Sequence, residues 1–460
     1  MRKKADTICA IATPSGRGGV GVIRLSGPQS LEIARELYSP LPPPRQASLR
    51  NLPDASGEVI DEGLVISFPG PHSFTGEDVV EIQSHGSPVV LKLILDSLLA
   101  KGARLAEPGE FSKRAYLNDR IDLVQAEAIA DLIEASTEQA ARAAQMSLQG
   151  VFSEQINALV NDLVELRVYV EASLDFPDED VDFLADGQVA KKAQDLLSRL
   201  EGLTTQAKQG ERLTSGARIA LVGEPNAGKS SLLNALAGRD AAIVTELAGT
   251  TRDVVTEHIN LLGVPVSIAD TAGLRETKDP VESIGIERAG QEMNQADLIV
   301  WLIDGQSLEG EIGDQEALSH HPAAQQLVKD YPQLQAFDRV LPVVNKVDLL
   351  PVEPGLHNGV AYLSAKTGEG LSALKTLIAE RLGVLDLGEG VFSARARHLD
   401  ALSQAQAALE QGVGDITQTG SGELLAESLR EAAQALGEIT GQMSADELLG
   451  RIFSSFCIGK

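Results

Sequence analysis

The most constraining feature of this sequence is a glycine-rich loop between an apolar strand and a helix. Residues 217–223 predict a buried strand, and the chain then runs through Gly223-Glu-Pro-Asn-Ala-Gly-Lys-Ser230 into a helix predicted over 231–236. This is the GxxxxGK[ST] pattern in its strand, loop and helix context. Backbone N–H groups close around phosphates in such a loop, Lys229 reaches the terminal phosphates, and the Ser230 hydroxyl is expected to bind Mg²⁺. The segment therefore predicts a nucleotide-binding α/β domain.

Three further motifs follow in an order that indicates guanine. Asp270-Thr-Ala-Gly273 ends an apolar run, where its carboxylate can approach Mg²⁺ through water and its glycine amide can meet the γ-phosphate. The carboxylate of Asn345-Lys-Val-Asp348 can accept two hydrogen bonds from the guanine edge, which adenine cannot donate. Ser364-Ala-Lys366 offers an amide to the guanine carbonyl. Together these motifs predict a GTP-hydrolysing enzyme.

The group that orients the attacking water is less evident. Ras-like enzymes place a glutamine directly after the glycine of the second motif, and this chain has Leu274 there. Glu282 is a candidate acid or base, with an ordinary exposed glutamate as the alternative. Arg252 and Arg275 lie nearby in sequence, but neither is marked as an arginine finger.

A monovalent cation is a second source of positive charge. Asn226, together with oxygens of Thr245 to Thr250 just before the Mg²⁺ candidate Thr251, can supply the ligands of a K⁺ ion. Such an ion would neutralise the charge that develops in the transition state.

Changes in composition and in the spacing of apolar residues along the chain predict four segments. Short strand-like runs, an apolar helix at 88–100 and many Gly and Pro breaks make residues 1–118 an α+β domain. Residues 119–215 and 385–460 are rich in Ala, Leu and Glu at helical spacing, and strands alternate with helices over 216–384. We therefore expect one α-helical domain, discontinuous in sequence, with a Ras-like α/β G domain inserted into it.

Composition limits the classes of partner. The net charge of −27 and the pI near 4.6 argue against a broad basic surface for nucleic acid, so a partner would supply the positive charge for any RNA. The two cysteines exclude a disulfide framework and suit a reducing compartment. No apolar run approaches the ~20 residues that a membrane span needs. We expect a cytoplasmic protein.

Several motifs occur together along the chain. They are Pro225 to Ser230, Ala248 to Asp253, Thr13 to Gly21, Gly76 to Gly86, Pro108 to Phe111, Leu117 to Asp119, and the final Cys457-Ile-Gly-Lys460. The first two are similar to those of cation-dependent translation GTPases in general. Taken together, the motifs resemble one family, the MnmE (TrmE) tRNA modification GTPases.

The resemblance implies a specific activity. With a flavoprotein partner, MnmG, the family adds a carboxymethylaminomethyl or aminomethyl group at C5 of the wobble uridine of certain tRNAs. The one-carbon unit comes from a tetrahydrofolate derivative, 5-formyl or methylene, and GTP hydrolysis is K⁺-stimulated. Residues 1–118 would bind folate and hold a homodimer, which forms a heterotetramer with MnmG.

The resemblance also implies site residues. Folate would contact Arg24, Glu81, Arg120 and Lys460, K⁺ would bind to Asn226, Thr245, Leu247 and Thr250, Mg²⁺ to Ser230 and Thr251, and Glu282 would be catalytic. Residues implied to bind GTP are Asn226, Ala227, Gly228, Lys229, Ser230, Ser231, Thr245, Glu246, Leu247, Ala248, Gly249, Thr250, Thr251, Asp270, Thr271, Ala272, Gly273, Asn345, Lys346, Val347, Asp348, Ser364, Ala365 and Lys366.

Several alternatives stay open. A ribosome-assembly switch of the Era or Der type shares the loop but usually carries a basic RNA-binding appendage, and a folate-binding scaffold with a regulatory GTPase is a third reading. Cys457 is either a nucleophile or a buried packing residue. His320-His321 is either part of a surface insertion or a metal pair, and residues 175–182 form either a solvated acidic loop or a Ca²⁺ site.

Overall fold

The chain divides into two compact units. A computed structural model describes residues 6–175, 188–238, 256–270, 290–308, 339–385 and 390–442, and also 449, 452–454, 456 and 459. One unit comprises Met1–Ala130, Leu148–Leu196 and Gln404–Lys460. The other comprises Asp131–Ser147 and Leu197–Ser403.

The N-terminal part of the first unit is built on a six-stranded sheet. Its elements, in chain order, are β1 (Ile8–Ile11), β2 (Gly18–Ser26), α1 (Ser30–Leu37), β3 (Ser48–Pro53), β4 (Val59–Phe68), β5 (Val79–Gly86), α2 (Pro88–Ala100), β6 (Arg104–Leu105) and α3 (Glu110–Leu117). The strand order is β3-β4-β5-β2-β1-β6. All neighbours in this sheet are antiparallel except β1 and β6, which are parallel.

One face of this sheet carries the core. Helix α2 buries Leu91, Ile94 and Leu98 against the strands, at the spacing that places them on one side of a helix. The sequence predicted α2 with its observed bounds and missed α1, β3, β6 and α3. Strand β3 was missed because it is an edge strand in which Leu52 alone is buried, so apolar and polar residues do not alternate over a long run.

Long helices follow, and two that are far apart in the sequence pack together. They are α4 (Leu123–Glu134), α5 (Glu138–Leu148), α6 (Val151–Asp175) and α7 (Gln188–Ser215), and later α10 (Ala396–Thr419) and α11 (Gly422–Thr440). Helices α6 and α11 form the most extensive helix pair among the described elements. Ser421 caps α11 by accepting a hydrogen bond from Leu424 N, and Gly441, at φ 85°, ends it. The helical domain is therefore discontinuous in sequence, as predicted.

A second sheet lies between those helices in sequence. Its elements are β7 (Ala217–Gly223), α8 (Lys229–Ala237), β8 (Thr256–Leu261), β9 (Val264–Asp270), β10 (Leu298–Asp304), β11 (Val340–Asn345), β12 (Gly355–His357), β13 (Val360–Tyr362) and α9 (Leu371–Arg381). The strand order is β12-β13-β11-β10-β7-β9-β8, and β9, β7, β10, β11 and β13 run parallel. This is the inserted Ras-like α/β G domain that the sequence predicted.

Candidate functional site

The phosphate-binding loop joins β7 to α8 as the sequence predicted. Gly228 precedes the helix at φ 97°, and Asn226 also has a left-handed backbone at φ 67°. A Cβ atom on Gly228 would lie 2.3 Å from Asn345 Nδ2, so a larger residue there would displace the Asn345 amide. Ser230 and Ser231 follow in the first turn of α8, both exposed. The helix N-terminus and the Ser230 hydroxyl, which the sequence predicts to bind Mg²⁺, are thereby available to the same ligand.

Lys229 is held over the loop that precedes it. Its Nζ atom donates to the carbonyl oxygens of Gly223 and Glu224, each at 2.8 Å, and the residue is 7% exposed. A buried ammonium is costly unless it is hydrogen-bonded, and these contacts supply the partners. The charge therefore lies at the carboxyl end of β7, where a parallel sheet binds ligands.

Asn345 connects three of the predicted motifs. Its Nδ2 donates to Ala227 O at 2.7 Å, and its Oδ1 accepts from Ala365 N at 2.9 Å. The side chain is buried, so both bonds are shielded from water. The structure thus brings the glycine-rich loop, the Asn-Lys-Val-Asp segment and the Ser-Ala-Lys segment to one edge of the sheet.

The loop after β13 has a more specific arrangement than the sequence suggested. Ser364 is buried, its Oγ accepts from Thr367 N at 3.2 Å, and its carbonyl accepts from Gly368 N at 2.9 Å. The amide of Ala365 already donates to Asn345, which the sequence analysis did not anticipate. Lys366 and Asp348 are exposed, and Val347 is buried with its amide donating to Leu363 O.

Lys346 has a partner that no motif indicated. Its Nζ lies 2.6 Å from Asp304 Oδ2, at the end of the neighbouring strand β10. Lys346 adopts a left-handed backbone, with φ at 66°. Asp304 is visible in the sequence as an acidic residue that ends an apolar run. Only the pairing of β10 with β11 brings this residue close to Lys346.

Some predicted residues lie outside the described part of the chain. Asp270 is described only as the last residue of β9. Those outside it are Thr245, Glu246, Leu247, Ala248, Gly249, Thr250, Thr251, Thr271, Ala272, Gly273, Glu282, Cys457 and Lys460, together with Leu274, Arg252, Arg275, His320-His321 and residues 176–182.

The N-terminal sheet brings together two of the residues that the resemblance assigns to folate. Arg24 on β2 and Glu81 on β5 are direct register partners, and Glu81 Oε1 accepts from Arg24 Nε at 3.0 Å and from Nη2 at 2.9 Å. The guanidinium also lies 5.3 Å from the ring centre of Phe74 and 5.7 Å from that of Phe111. Neither aromatic residue was predicted, because both come from loops or helices distant from Arg24 in sequence.

Arg120 and residues near the C-terminus pack against segments of the first unit. A Cβ atom on Gly76 would lie 3.3 Å from Arg120 Cγ, so Arg120 packs against the segment that contains Phe74. Gly459 packs against β1, because a Cβ there would lie 2.4 Å from Ile11 O. Phe453 and Phe456 join a buried cluster with Leu123.

An ion-pair network lies beside this region. Arg114 pairs with Asp6, Glu77 and Glu110, and Arg104 pairs with Asp6 and Glu110. The hydrogen bond from Arg104 Nε is the main reason that the pKa of Asp6 is lowered to about 2. Burial raises the pKa of the Cys9 thiol to about 12, so this cysteine is a packing residue.

Comparison with known families decides the class. The model described as the MnmE helical domain matches residues 123–457, and the model described as the GTP-binding protein TrmE N-terminus matches residues 7–120. The chain belongs to the MnmE (TrmE) family. Membership places it among the GTPases of tRNA modification, and it agrees with the resemblance seen in the sequence.

Solved structures are similar to part of this MnmE family member. The G domain of the T. maritima FeoB iron transporter is 24% identical, covers 36% of this chain and 98% of its own, and has a TM-score of 0.25. Aquifex aeolicus Era bound to GDP·AlF₄⁻ is 26% identical, covers 42% of this chain and 66% of its own, and has a TM-score of 0.28. Among the described helices, none combines the length and the apolar character that a bilayer crossing requires.

Proposed function

We propose that this chain binds and hydrolyses GTP in order to drive modification of the wobble uridine of tRNA, in the cytoplasm and together with a flavoprotein. The main support for GTP binding is the Asn345 side chain. It forms hydrogen bonds with Ala227 in the phosphate loop and with Ala365 in the loop proposed to read the base. A nucleotide that contacts both loops would place its phosphates at the glycine-rich loop and its base at the Ser-Ala-Lys loop. Asp348, exposed in the same segment, then reads guanine.

Competition between nucleotides tests this proposal directly. The protein is loaded with GDP carrying a fluorescent N-methylanthraniloyl group, and GTP, ATP and XTP are titrated against it. We expect GTP to displace the probe and ATP to fail. Asp348→Asn should shift the preference toward XTP, because an amide can donate to the xanthine carbonyl where the carboxylate cannot. Equal displacement by ATP and GTP would refute guanine recognition.

Residues for the chemical step are proposed from the family. Lys229 would hold the terminal phosphates, Ser230 and Thr251 would bind Mg²⁺, and Glu282 would orient the attacking water. Mg²⁺ at this position would neutralise charge on the phosphate oxygens. The exposed Ser230 in the first turn of α8 suits a cation that takes oxygen ligands and phosphates in place of an all-protein cage. Glu282→Ala should bind GTP normally and hydrolyse it slowly, and undiminished hydrolysis would reject the role of Glu282.

K⁺ is proposed as the second cation, bound by Asn226, Thr245, Leu247 and Thr250. The support is that Asn226 lies in the phosphate loop with an exposed side chain and a left-handed backbone, which is rare outside glycine and recurs at functional sites. GTPase rates in KCl and NaCl at equal ionic strength test it. Rates that are equal in the two salts would remove K⁺ from the mechanism.

A tetrahydrofolate derivative, 5-formyl or methylene, is proposed to bind the N-terminal domain through Arg24, Glu81, Arg120 and Lys460. Support comes from the Arg24–Glu81 pair, which lies against two aromatic rings, and from the packing of Gly459, the neighbour of Lys460, on β1. Calorimetric titration with 5-formyl-tetrahydrofolate should show binding that Arg24→Ala abolishes. Binding that survives in Arg24→Ala would move the site elsewhere.

A homodimer held by the N-terminal domains, and a heterotetramer with MnmG, complete the proposal. Leu49 and Leu64 face each other across β3 and β4 and are 59% and 37% exposed, so the sheet presents apolar surface at its edge. Leu49→Asp and Leu64→Asp should lower the mass measured by sedimentation, whereas an unchanged mass would place the dimer contact elsewhere. Since the net charge is −27, the flavoprotein would supply most of the contact with tRNA.

Nucleoside analysis of tRNA from a strain lacking the protein tests the overall function. We expect wobble uridine without the carboxymethylaminomethyl or aminomethyl group at C5. Fully modified tRNA would favour a ribosome-assembly switch or a folate-binding scaffold.

A further inference from the structure

The Asp304 carboxylate is oriented by a backbone hydrogen bond within its own turn, and it also contacts Lys346. Asp304 is the last residue of β10 and lies directly opposite Asn345 in the parallel pairing with β11. Its Oδ1 accepts a hydrogen bond from Gln306 N at 3.0 Å, in the short 3₁₀ turn Gly305–Ser307. The second oxygen, Oδ2, is 2.6 Å from Lys346 Nζ. The turn therefore orients one oxygen and leaves the other for the lysine.

The turns after β10 and β11 pack closely. A Cβ on Gly305 would lie 2.8 Å from Asn345 O and 2.5 Å from a methyl of Leu350, so glycine is required next to Asp304. Lys346 has a left-handed backbone that a lysine seldom adopts, and such backbones persist where the surrounding structure imposes them. The contact is therefore built into the pairing of two strands.

The lysine belongs to the edge of the sheet where the nucleotide would bind. It follows Asn345, which reaches the phosphate loop, and precedes Asp348, the proposed guanine reader, by two positions. Lys346 is 28% exposed and Asp304 is 21% exposed, so the pair is partly shielded. A free lysine side chain samples many rotamers, and binding a ligand against it would have to restrict them.

We propose that Asp304 is a positioning residue that holds the Lys346 side chain in place for the guanosine part of the bound nucleotide. The inference rests on the proposed GTP-binding function and extends it to a residue outside the four recognised motifs. Asp304 itself does not touch the ligand. Its contribution is to immobilise Lys346 before the nucleotide arrives, so that binding does not have to order the side chain.

The test measures the release of fluorescent GDP from four variants with Mg²⁺ present. Asp304→Ala removes the carboxylate, Asp304→Asn keeps its shape without the charge, and Asp304→Glu is the conservative variant. Asp297→Asn is the matched control, since Asp297 pairs with Arg212 just before the opposite end of β10 and is 26% exposed. We expect release from Asp304→Ala and Asp304→Asn to be roughly three to ten times faster, with Asp304→Glu intermediate and Asp297→Asn like the native protein.

Steady-state kinetics separate positioning from general damage. For the two Asp304 variants that lose the charge, the KM for GTP should rise by the same factor while kcat stays within about twofold, because the proposal places Lys346 against the guanosine part and not at the reacting γ-phosphate. Removing a carboxylate also changes the long-range field on the phosphates, and salt screens that effect. The change in release rate should therefore persist when KCl is raised from 150 to 500 mM.

Three results would overturn the inference. They are an unchanged release rate in both variants that lose the charge, an equal change in Asp297→Asn, or a change that vanishes at high salt. If Asp304→Ala does not fold, Asp304→Asn alone decides. If the native protein binds no guanine nucleotide, the proposed function fails instead, and that outcome is visible before any variant is made.

Discussion

The two candidate sites are constructed in different ways. In the inserted G domain, the candidate groups lie in turns after parallel strands, and one buried side chain, Asn345, bonds a backbone atom in each of two of these turns, Ala227 O and Ala365 N. In the N-terminal domain, Arg24 and Glu81 lie in the middle of antiparallel strands and meet side chain to side chain. The first kind of site depends on loop conformation and the second on strand pairing. The four predictions below test this difference.

The largest expected effect is on nucleotide affinity in Lys229→Ala. The buried ammonium donates to Gly223 O and Glu224 O. The substitution therefore removes the positive charge and leaves these two oxygens without the Lys229 donor. We expect a loss of about 2–5 kcal/mol of binding free energy, or roughly 30- to 5000-fold in Kd, by titration with fluorescent GDP. Lys208→Ala, at an exposed position of α7, is the control and should bind as the native protein does. Similar losses in both variants would contradict the assignment.

A smaller effect is expected from backbone geometry in Gly228→Ala. Alanine at φ 97° is strained, and its Cβ would displace the Asn345 amide from Ala227 O. We expect about 2–4 kcal/mol of destabilisation of the G domain together with weaker GTP binding. Trp301, the single tryptophan, is buried on β10 and reports unfolding of this domain by fluorescence.

Gly202→Ala provides the matched control for Gly228→Ala. Gly202 lies in α7 with a helical backbone and open space around its Cα, so the same substitution should stabilise by about 0.5–1 kcal/mol. Changes of the same sign in both variants would show that loop conformation does not govern this site.

The contrast between the sites explains what the sequence revealed. The loop at 223–230 was predictable because its chemistry requires particular residues at fixed spacing within a short segment. Strands β7, β9, β11 and β13 were predictable as apolar runs that follow the rhythm of a parallel sheet. The family resemblance added Arg24, Glu81 and Arg120, which no local pattern marks.

Long-range contacts account for what the sequence missed. Phe74 and Phe111 reach Arg24 only through the sheet and α3, and Asp304 reaches Lys346 only because β10 and β11 are neighbours. A pattern within one segment contains no information about which strands will pair. The boundaries of α8 were also misjudged by two residues at its start, because the helix begins at Lys229, inside the phosphate motif.

Side-chain pairing in the N-terminal site is tested by a double-mutant cycle on Arg24 and Glu81. Two nitrogens of Arg24 donate to one oxygen of Glu81, and both side chains are only about one-fifth exposed. We therefore expect a coupling energy of about 1–2 kcal/mol between the two residues. The control cycle uses Lys92 and Asp96, an exposed i,i+4 pair on α2, for which about 0.3–0.5 kcal/mol is expected. Hydrogen exchange of the β2 and β5 amides measures the free energy of unfolding of each variant, from which both coupling energies are calculated. Equal couplings would mean that Arg24 and Glu81 are held by the sheet and contribute nothing special as a pair.

The smallest expected effect is a pH dependence confined to the N-terminal domain. The pKa of Asp6 is lowered from 3.8 to about 2, chiefly by the hydrogen bond from Arg104, with Arg114 adding a second. A folded pKa below the unfolded one means that the contribution to stability is present above pH 3.8 and is lost as the pH falls toward 2. Asp6 is about half exposed, so solvent screening keeps the effect small.

This pH effect can be assigned to one domain within the full chain. Urea series at pH 6, 4 and 3, each followed by a short deuterium pulse at a common pH, report on β1 and β6 through the amides of Arg104 and Ala106, which donate to Thr7 O and Cys9 O. The urea midpoint is measured from the peptides that contain these two amides. When the pH is lowered from 4 to 3, this midpoint should decrease more in the native protein than in Asp6→Asn. Trp301 fluorescence follows the G domain in the same samples, and the substitution should leave its pH dependence unchanged. An Asp6→Asn protein with the native acid response would assign the acid sensitivity of this domain to Glu110. Burial raises the pKa of Glu110, but hydrogen bonds from Arg104, the Glu107 amide and Arg114 outweigh burial and lower the pKa overall.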